Sequence, residues 1–99
     1  DAYVKKLTQY SDGHVTEQDG TVKVNTKVFT TPAATSSMSA KERAYFVMGN
    51  LSAAYHNGQN KSAASANGNT VMLGKQPIMS CVSGDENADT LAQRLNKIK

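Results

Sequence analysis

Two histidines, His14 and His56, and one cysteine, Cys81, are the residues of this 99-residue chain best suited to metal ligation or nucleophilic chemistry. A zinc site needs three or four such ligands, carboxylates included, within reach of one another. A thiol nucleophile needs a base beside it and usually a third group to orient that base. No local spacing links His14, His56 and Cys81, so the histidines are expected at the surface. A lone cysteine excludes an internal disulfide framework. Cys81 is expected as a buried, reduced thiol, with an interchain disulfide as the competing reading.

The carboxylates are scattered and have structural uses. Glu42, Asp85 and Glu86 fall at helix starts, and Glu17 and Asp19 at a hairpin tip. No pair is left for general acid–base work. Neither G-x-G-x-x-G nor a phosphate-binding G-K-S/T pattern occurs. The sequence therefore points to no catalytic residue, no metal and no cofactor, and to a protein that is not an enzyme. Two N-x-S sequons occur, at Asn50 and Asn60. The first falls inside a helix, and such short matches arise often by chance.

One group of residues departs from the ordinary pattern. Phe46, Gly49 and Ala53 fall together on a helix at about 100° per residue, opposite a core stripe of Ala44, Val47, Leu51 and Tyr55. A helix that faces water normally has a polar back. Here an aromatic ring stands beside a small-x-x-x-small pair, which would let another backbone approach closely. Three occupants compete: a terminal helix of the same chain, a partner protein or second copy, or solvent alone. Phe46, Gly49 and Ala53 are the candidate protein interface.

The helix that carries them is the clearest element. Ser39-Ala40-Lys41-Glu42 has the spacing of a capping box, in which the Ser hydroxyl and the Glu carboxylate each take the other's backbone amide. Apolar residues then recur at helical spacing, and Asn57-Gly58 is a stop signal. The central helix is thus expected over about 40–57. Residues 14–30 read as a β-hairpin turning at Asp19-Gly20, a pair suited to a type I′ turn. Val22, Val24 and Val28 would share its buried face, with Lys23, Asn25 and Lys27 on the wet face. A bulge or strand end near Lys27 would turn Phe29 inward.

A second hairpin is expected over 70–82, with a turn at Gly74-Lys75 and with Pro77 marking an edge strand. A second S-x-x-E, Ser83 to Glu86, is expected to open a C-terminal helix over about 86–98. Ala88, Leu91, Ala92, Leu95 and Ile98 form its stripe. Residues 59–69 are small and polar with no apolar period, and are expected as a mobile loop. Tyr3, Val4, Leu7 and Tyr10 favour an N-terminal helix over about 2–11, against a strand reading of the same residues.

These elements predict one α+β domain spanning 1–99: a small two-layer sandwich, with one antiparallel sheet made of the two hairpins and helices on one face. The halves do not align by eye, so an internal duplication is not expected. Only 19% of the residues are charged, and uncharged polar residues fill the gap. That composition fits an exported protein, periplasmic or secreted. The chain begins at Asp1 rather than Met, which fits removal of a leader or trimming. No apolar run approaches the roughly 20 residues of a membrane span.

The net charge of +3 comes from dispersed cations, so nucleic acid is not the expected partner. The expectation is a small, exported, non-enzymatic protein that binds another protein or a second copy of itself, of the inhibitor, immunity or envelope and secretion accessory type. The alternative is a basic nucleic-acid-binding module that uses the Lys23/Asn25/Lys27 face.

Overall fold

A computed structural model describes residues 14–99; the expected helix over 2–11 lies outside the described residues. The described chain is α+β, with two antiparallel three-stranded sheets and two helices. Its order is β1 (Val15–Gln18), β2 (Thr21–Val24), β3 (Lys27–Thr30), α1 (Ala40–His56), a 3₁₀ turn (Gln59–Lys61), β4 (Ala64–Asn67), β5 (Thr70–Leu73), β6 (Gln76–Ser80) and α2 (Ala88–Ile98). The expected hairpins are both meanders, β1-β2-β3 and β4-β5-β6.

In the first meander the missed element is a second turn at Asn25-Thr26. Both residues adopt positive φ, 51° and 71°. This conformation disfavours a β-branched residue such as Thr26, so propensity gives no sign of it. The turn sets Lys27 opposite Val24, while Lys23 faces Val28. Lys23 and Lys27 therefore do not share one strand face. A bulge between the Val22 and Lys23 pairings does turn Phe29 into the core, leaving Val28 half exposed.

In the second meander the missed strand is β4. Ala64-Ser65-Ala66-Asn67 alternates only alanine with polar residues, too weak a period to read as a strand, yet it pairs along its length with β5. Asn96 of α2 holds its outer edge: Asn96 Oδ1 accepts from Ala64 N at 2.7 Å and Asn96 Nδ2 donates to Ala64 O at 3.0 Å. The stretch 59–69, read as a loop from its composition, is thus a 3₁₀ turn followed by an edge strand.

The two meanders repeat one design. Val22 pairs with Thr30 and Val71 with Met79; Val24 pairs with Lys27 and Leu73 with Gln76; both ladders carry a bulge at the matching step. Each strand position recurs 49 residues on, as His14 and Ala63 do, whose carbonyls accept from Asn25 N and Gly74 N. Thr21–Thr31 and Thr70–Ser80 hydroxyl pairs, at 3.1 and 3.2 Å, occupy matching places.

The helices match as well, 48 residues apart. Ser39 and Asn87 are their N-caps with nearly the same φ and ψ, and each side chain accepts an amide three residues on. Ala44 and Ala92, and Val47 and Leu95, are buried counterparts. The described fold is therefore βββα twice. Each helix packs on two strands of its own meander and on the last strand of the other: α1 on β1, β2 and β6, and α2 on β4, β5 and β3. One continuous core results, with Phe29, Met48, Leu51, Leu73, Ile78, Leu91 and Leu95 fully buried.

Candidate functional site

The capping box that opens α1 is present in full. Ser39 Oγ accepts from Glu42 N at 3.1 Å and Glu42 Oε1 from Ser39 N at 3.0 Å. This start fixes the rotation of the helix. Arg43, Ala44, Val47, Met48, Leu51 and Ala54 then face inward. Phe46 faces outward and is 59% exposed. Gly49 and Ala53 lie one and two turns further along the same outward face, half buried. Among the described residues, α2 does not shield Phe46, because it packs chiefly on β3, β4 and β5.

Phe46 stands at the rim of a groove of about 210 Å³ between α1 and β6, whose apolar lining comes from Met38, Val47, Ile78 and Met79. Small-molecule sites usually enclose about 300–1,000 Å³. This one has room for a side chain or two rather than a substrate. Sequence reasoning finds Phe46 by helical period. It misses Met38, Ile78 and Met79, because these come from a loop and from a strand some thirty residues away. Gly49 and Ala53 are not part of the groove lining.

The edge of β6 that faces the groove is closed to strand addition. Asn50 Nδ2 donates to Ile78 O at 2.8 Å and Arg43 Nη2 to Ser80 O at 3.0 Å. Pro77 has no N–H to offer. Side-chain capping of this kind protects an exposed sheet edge from pairing.

Below the groove lies a buried ion pair. Arg43 Nη2 is 2.9 Å from Asp85 Oδ2, with side chains 9% and 0% exposed. Asp85 also accepts from Ala33 N through Oδ1 (2.7 Å) and from Val82 N through Oδ2 (2.9 Å). Ala33 and Val82 are counterparts in the two halves, so one carboxylate joins both. Arg43 Nη1 completes the arrangement with a 2.6 Å bond to Ala33 O. Burial pushes the Asp85 carboxyl up, but the Arg43 hydrogen bond, the two amides and the Arg43 charge outweigh it and leave its pKa lowered.

The second S-x-x-E is thereby reassigned. Its acids have tertiary partners, Asp85 with Arg43 and Glu86 with Arg94, and the helix begins at Ala88 under an Asn87 cap. Arg94 pairs with Glu86 through both guanidinium ends and donates to Phe29 O at 2.8 Å.

The remaining candidates are dispersed. His14 and His56 are both exposed. His14 stacks on Tyr55 with ring centroids 5.0 Å apart, and its Nδ1 lies 2.6 Å from Asn25 Oδ1. Asn25 Nδ2 donates to Ile98 O at 2.9 Å and, at 3.4 Å, to Tyr55 Oη. The Asn25 side chain is thus engaged within the fold, while Lys23 and Lys27 lie on opposite strand faces. Cys81 is half buried against the core. Burial and the Asp85 charge raise its thiol pKa, with Arg43 opposing. No group of three His, Cys, Asp or Glu that could hold a metal occurs among the described residues. No helix among them is long and apolar enough to cross a membrane.

Comparison with known proteins gives no match: no family model, curated protein or solved structure resembles the chain closely enough to assign it.

Proposed function

We propose that this is a small, exported, non-enzymatic protein that acts by binding another protein through the groove between α1 and β6. One observation carries the reading. Met38 and Phe46 occupy the positions that Glu86 and Arg94 hold in the other half, 48 residues on. There, an ion pair spans the helix–strand junction and Arg94 takes the Phe29 carbonyl. Here, two apolar side chains flank an open groove, and the matching carbonyl, of Ile78, is left to Asn50.

The frame therefore accommodates a polar closure at this place, and the first half presents an apolar pair instead. An exposed aromatic beside a side-chain-sized apolar recess suits an interface anchor. With the β6 edge capped, the partner inserts an apolar side chain rather than adding a strand. Low charge and an uncharged polar surface support a location outside the cytoplasm.

The test is a photo-crosslinking amino acid placed at Phe46 in the native host, with Thr16 as the control position. Phe46 is expected to give one discrete heteromeric adduct, which Met79→Glu abolishes. Adducts of equal pattern from Thr16, or none from Phe46, would sink the reading.

A further inference from the structure

Lysines that are scattered in the sequence are gathered by the fold at one end of the molecule. That end comprises the β2–β3 and β5–β6 turns, the last turns of α1 and α2, and the 3₁₀ turn. Side chains lace these pieces together. Asn25 Nδ2 joins the β2–β3 turn to Ile98 O, and Gln59 Oε1 accepts from Lys75 N of the β5–β6 turn at 2.9 Å. Lys99 Nζ donates to Asn60 O at 3.0 Å. Lys27, Lys61, Lys75, Lys97 and Lys99 all belong to this end, the first four exposed and Lys99 half buried. Among the described residues no Asp or Glu lies here, and none of these lysines is in an ion pair. The described carboxylates, Glu17, Asp19, Glu42, Asp85, Glu86 and Asp89, all lie at the opposite end, beside the β1–β2 turn and the starts of α1 and α2. There Arg43 and Arg94 neutralise Asp85 and Glu86. Residues 1–13 hold two lysines and two aspartates, no net charge.

We infer that the lysine end docks on an anionic lipid surface, with phospholipid phosphates as its counter-charges. Each lysine beside such a surface strengthens binding about fivefold. The net charge of +3 understates this attraction. The 17 residues of α1 hold the two ends about 25 Å apart at 1.5 Å per residue. That exceeds the screening length of about 8 Å at physiological salt, so the acidic end does not cancel the pull on the lysine end. Approach by the acidic end is repelled, which selects one orientation. The side chains favour lipid over nucleic acid. The two arginines, whose planar forks suit phosphate and base edges, are both committed to carboxylates. Tyr55, at the lysine end, is stacked on His14 rather than open to a base. The lysines come from four separate pieces of chain, which suits a broad field of phosphates rather than one backbone track. Phe46 lies about 15 Å from the lysine end of α1, so the groove stays open on a docked molecule. The inference stands apart from the identity of any protein partner.

Co-sedimentation of the full chain with vesicles tests this. The vesicles are phosphatidylcholine alone, or the same lipid with one-third phosphatidylglycerol, at about 0.1 M salt. Binding to the anionic vesicles only is expected. Lys61→Gln with Lys75→Gln is expected to weaken it about 25-fold, and Lys41→Gln, at the acidic end, by less than about twofold. Lys27→Gln with Lys97→Gln is expected to match the first pair, so the outcome does not rest on one variant. All of these side chains are exposed, and thermal unfolding checks that each variant keeps its fold. Equal sedimentation with both vesicles, or with neither, overturns the proposal. A loss from Lys41→Gln as large as that from Lys61→Gln alone overturns it too, because total charge rather than the lysine end would then carry the binding. Tighter binding to DNA than to anionic vesicles at equal phosphate concentration assigns the end to nucleic acid and overturns it as well.

Discussion

Glu86 and Arg94 cross the junction between α2 and β3, and Met38 and Phe46 hold the same two places between α1 and β6. The first pair is ionic and half exposed, 33% and 47% at the side chains. Such a pair stabilises a fold by only about 0–1 kcal/mol. Leaving Phe46 in water also costs the fold little, since single exposed apolar residues are common. The difference between the halves is thus weakly expressed in stability and strongly expressed in surface chemistry. One junction is sealed and polar, and the other is open and apolar.

A second contrast concerns the centre. Leu91 stands where the first half has Arg43, so one half gives an apolar packing residue and the other a buried cation. That cation meets Asp85, and the pair ties the backbone at Ala33 to the backbone at Val82. At this point the junction of the repeats therefore has one buried ion pair rather than two related ones. Removing one partner of a buried pair leaves the other charge unmatched, at a cost of about 3–5 kcal/mol. Asp85→Ala is expected to lower stability by that amount in urea, with sheet and helix signals lost together. Separate transitions for the two halves would break the idea of a shared clasp.

The same contact sets the acid response. The folded pKa of Asp85 is below its ordinary value. Its contribution is complete above the unfolded value near 4, and is lost as pH falls through the folded value. Stability is expected to drop in that acid window, and the drop is expected to shrink in Asp85→Ala.

Exchanging the closures sharpens the first contrast. Met38→Glu with Phe46→Arg rebuilds the polar junction of the second half in the first. Stability is expected to change by less than about 1 kcal/mol, because the new pair is exposed. Crosslinking from a probe at Met79 to the partner is expected to fall at least tenfold, a loss of about 1.4 kcal/mol in binding. Undiminished crosslinking would mean that the apolar pair is not the anchor.

Where signals were local, the sequence could be read. The Ser39–Glu42 box, the Asp19-Gly20 turn and the stop at Asn57-Gly58 each involve residues a few positions apart, and each predicted its element. The glycine at 74 follows the same rule: its φ is +59°, which a turn there requires and a residue without a Cβ adopts readily. Where the cause is distant, the sequence is silent. Ala64–Asn67 is a strand because β5 and Asn96 hold it. Glu86 belongs to Arg94 rather than to a capping box. The repeat escapes notice because over the matched strands little beyond Thr21-Val22 and Thr70-Val71 is shared. Phe46 was visible by period, whereas the wall opposite it needed the fold.

The turns distinguish the halves more gently. Asn25-Thr26 carries two positive φ angles, and its counterpart Gly74-Lys75 carries one, on the glycine. A β-branched residue at φ 71° is strained by about 1–2 kcal/mol. Thr26→Gly relieves that strain but adds chain entropy to the unfolded state. The expected net gain is roughly 0.5–1 kcal/mol in urea. A loss would show that the Thr26 side chain makes a contact that outweighs its backbone.

An effect of similar small size is expected at Ser52, in the length of α1 beyond Asn50 that α2 does not match. Ser52 is fully buried, and its Oγ has no hydrogen-bond partner. An unmatched buried hydroxyl disfavours the folded state, and serine is a poorer helix former than alanine by a few tenths of a kcal/mol. Ser52→Ala removes both penalties and leaves the helix outline nearly unchanged. A gain of roughly 0.5–1 kcal/mol is expected from the urea midpoint at constant slope. If stability falls instead, the hydroxyl turns to a carbonyl in the preceding turn of α1. The added length of the first helix then has a polar tether of its own, which the second helix lacks.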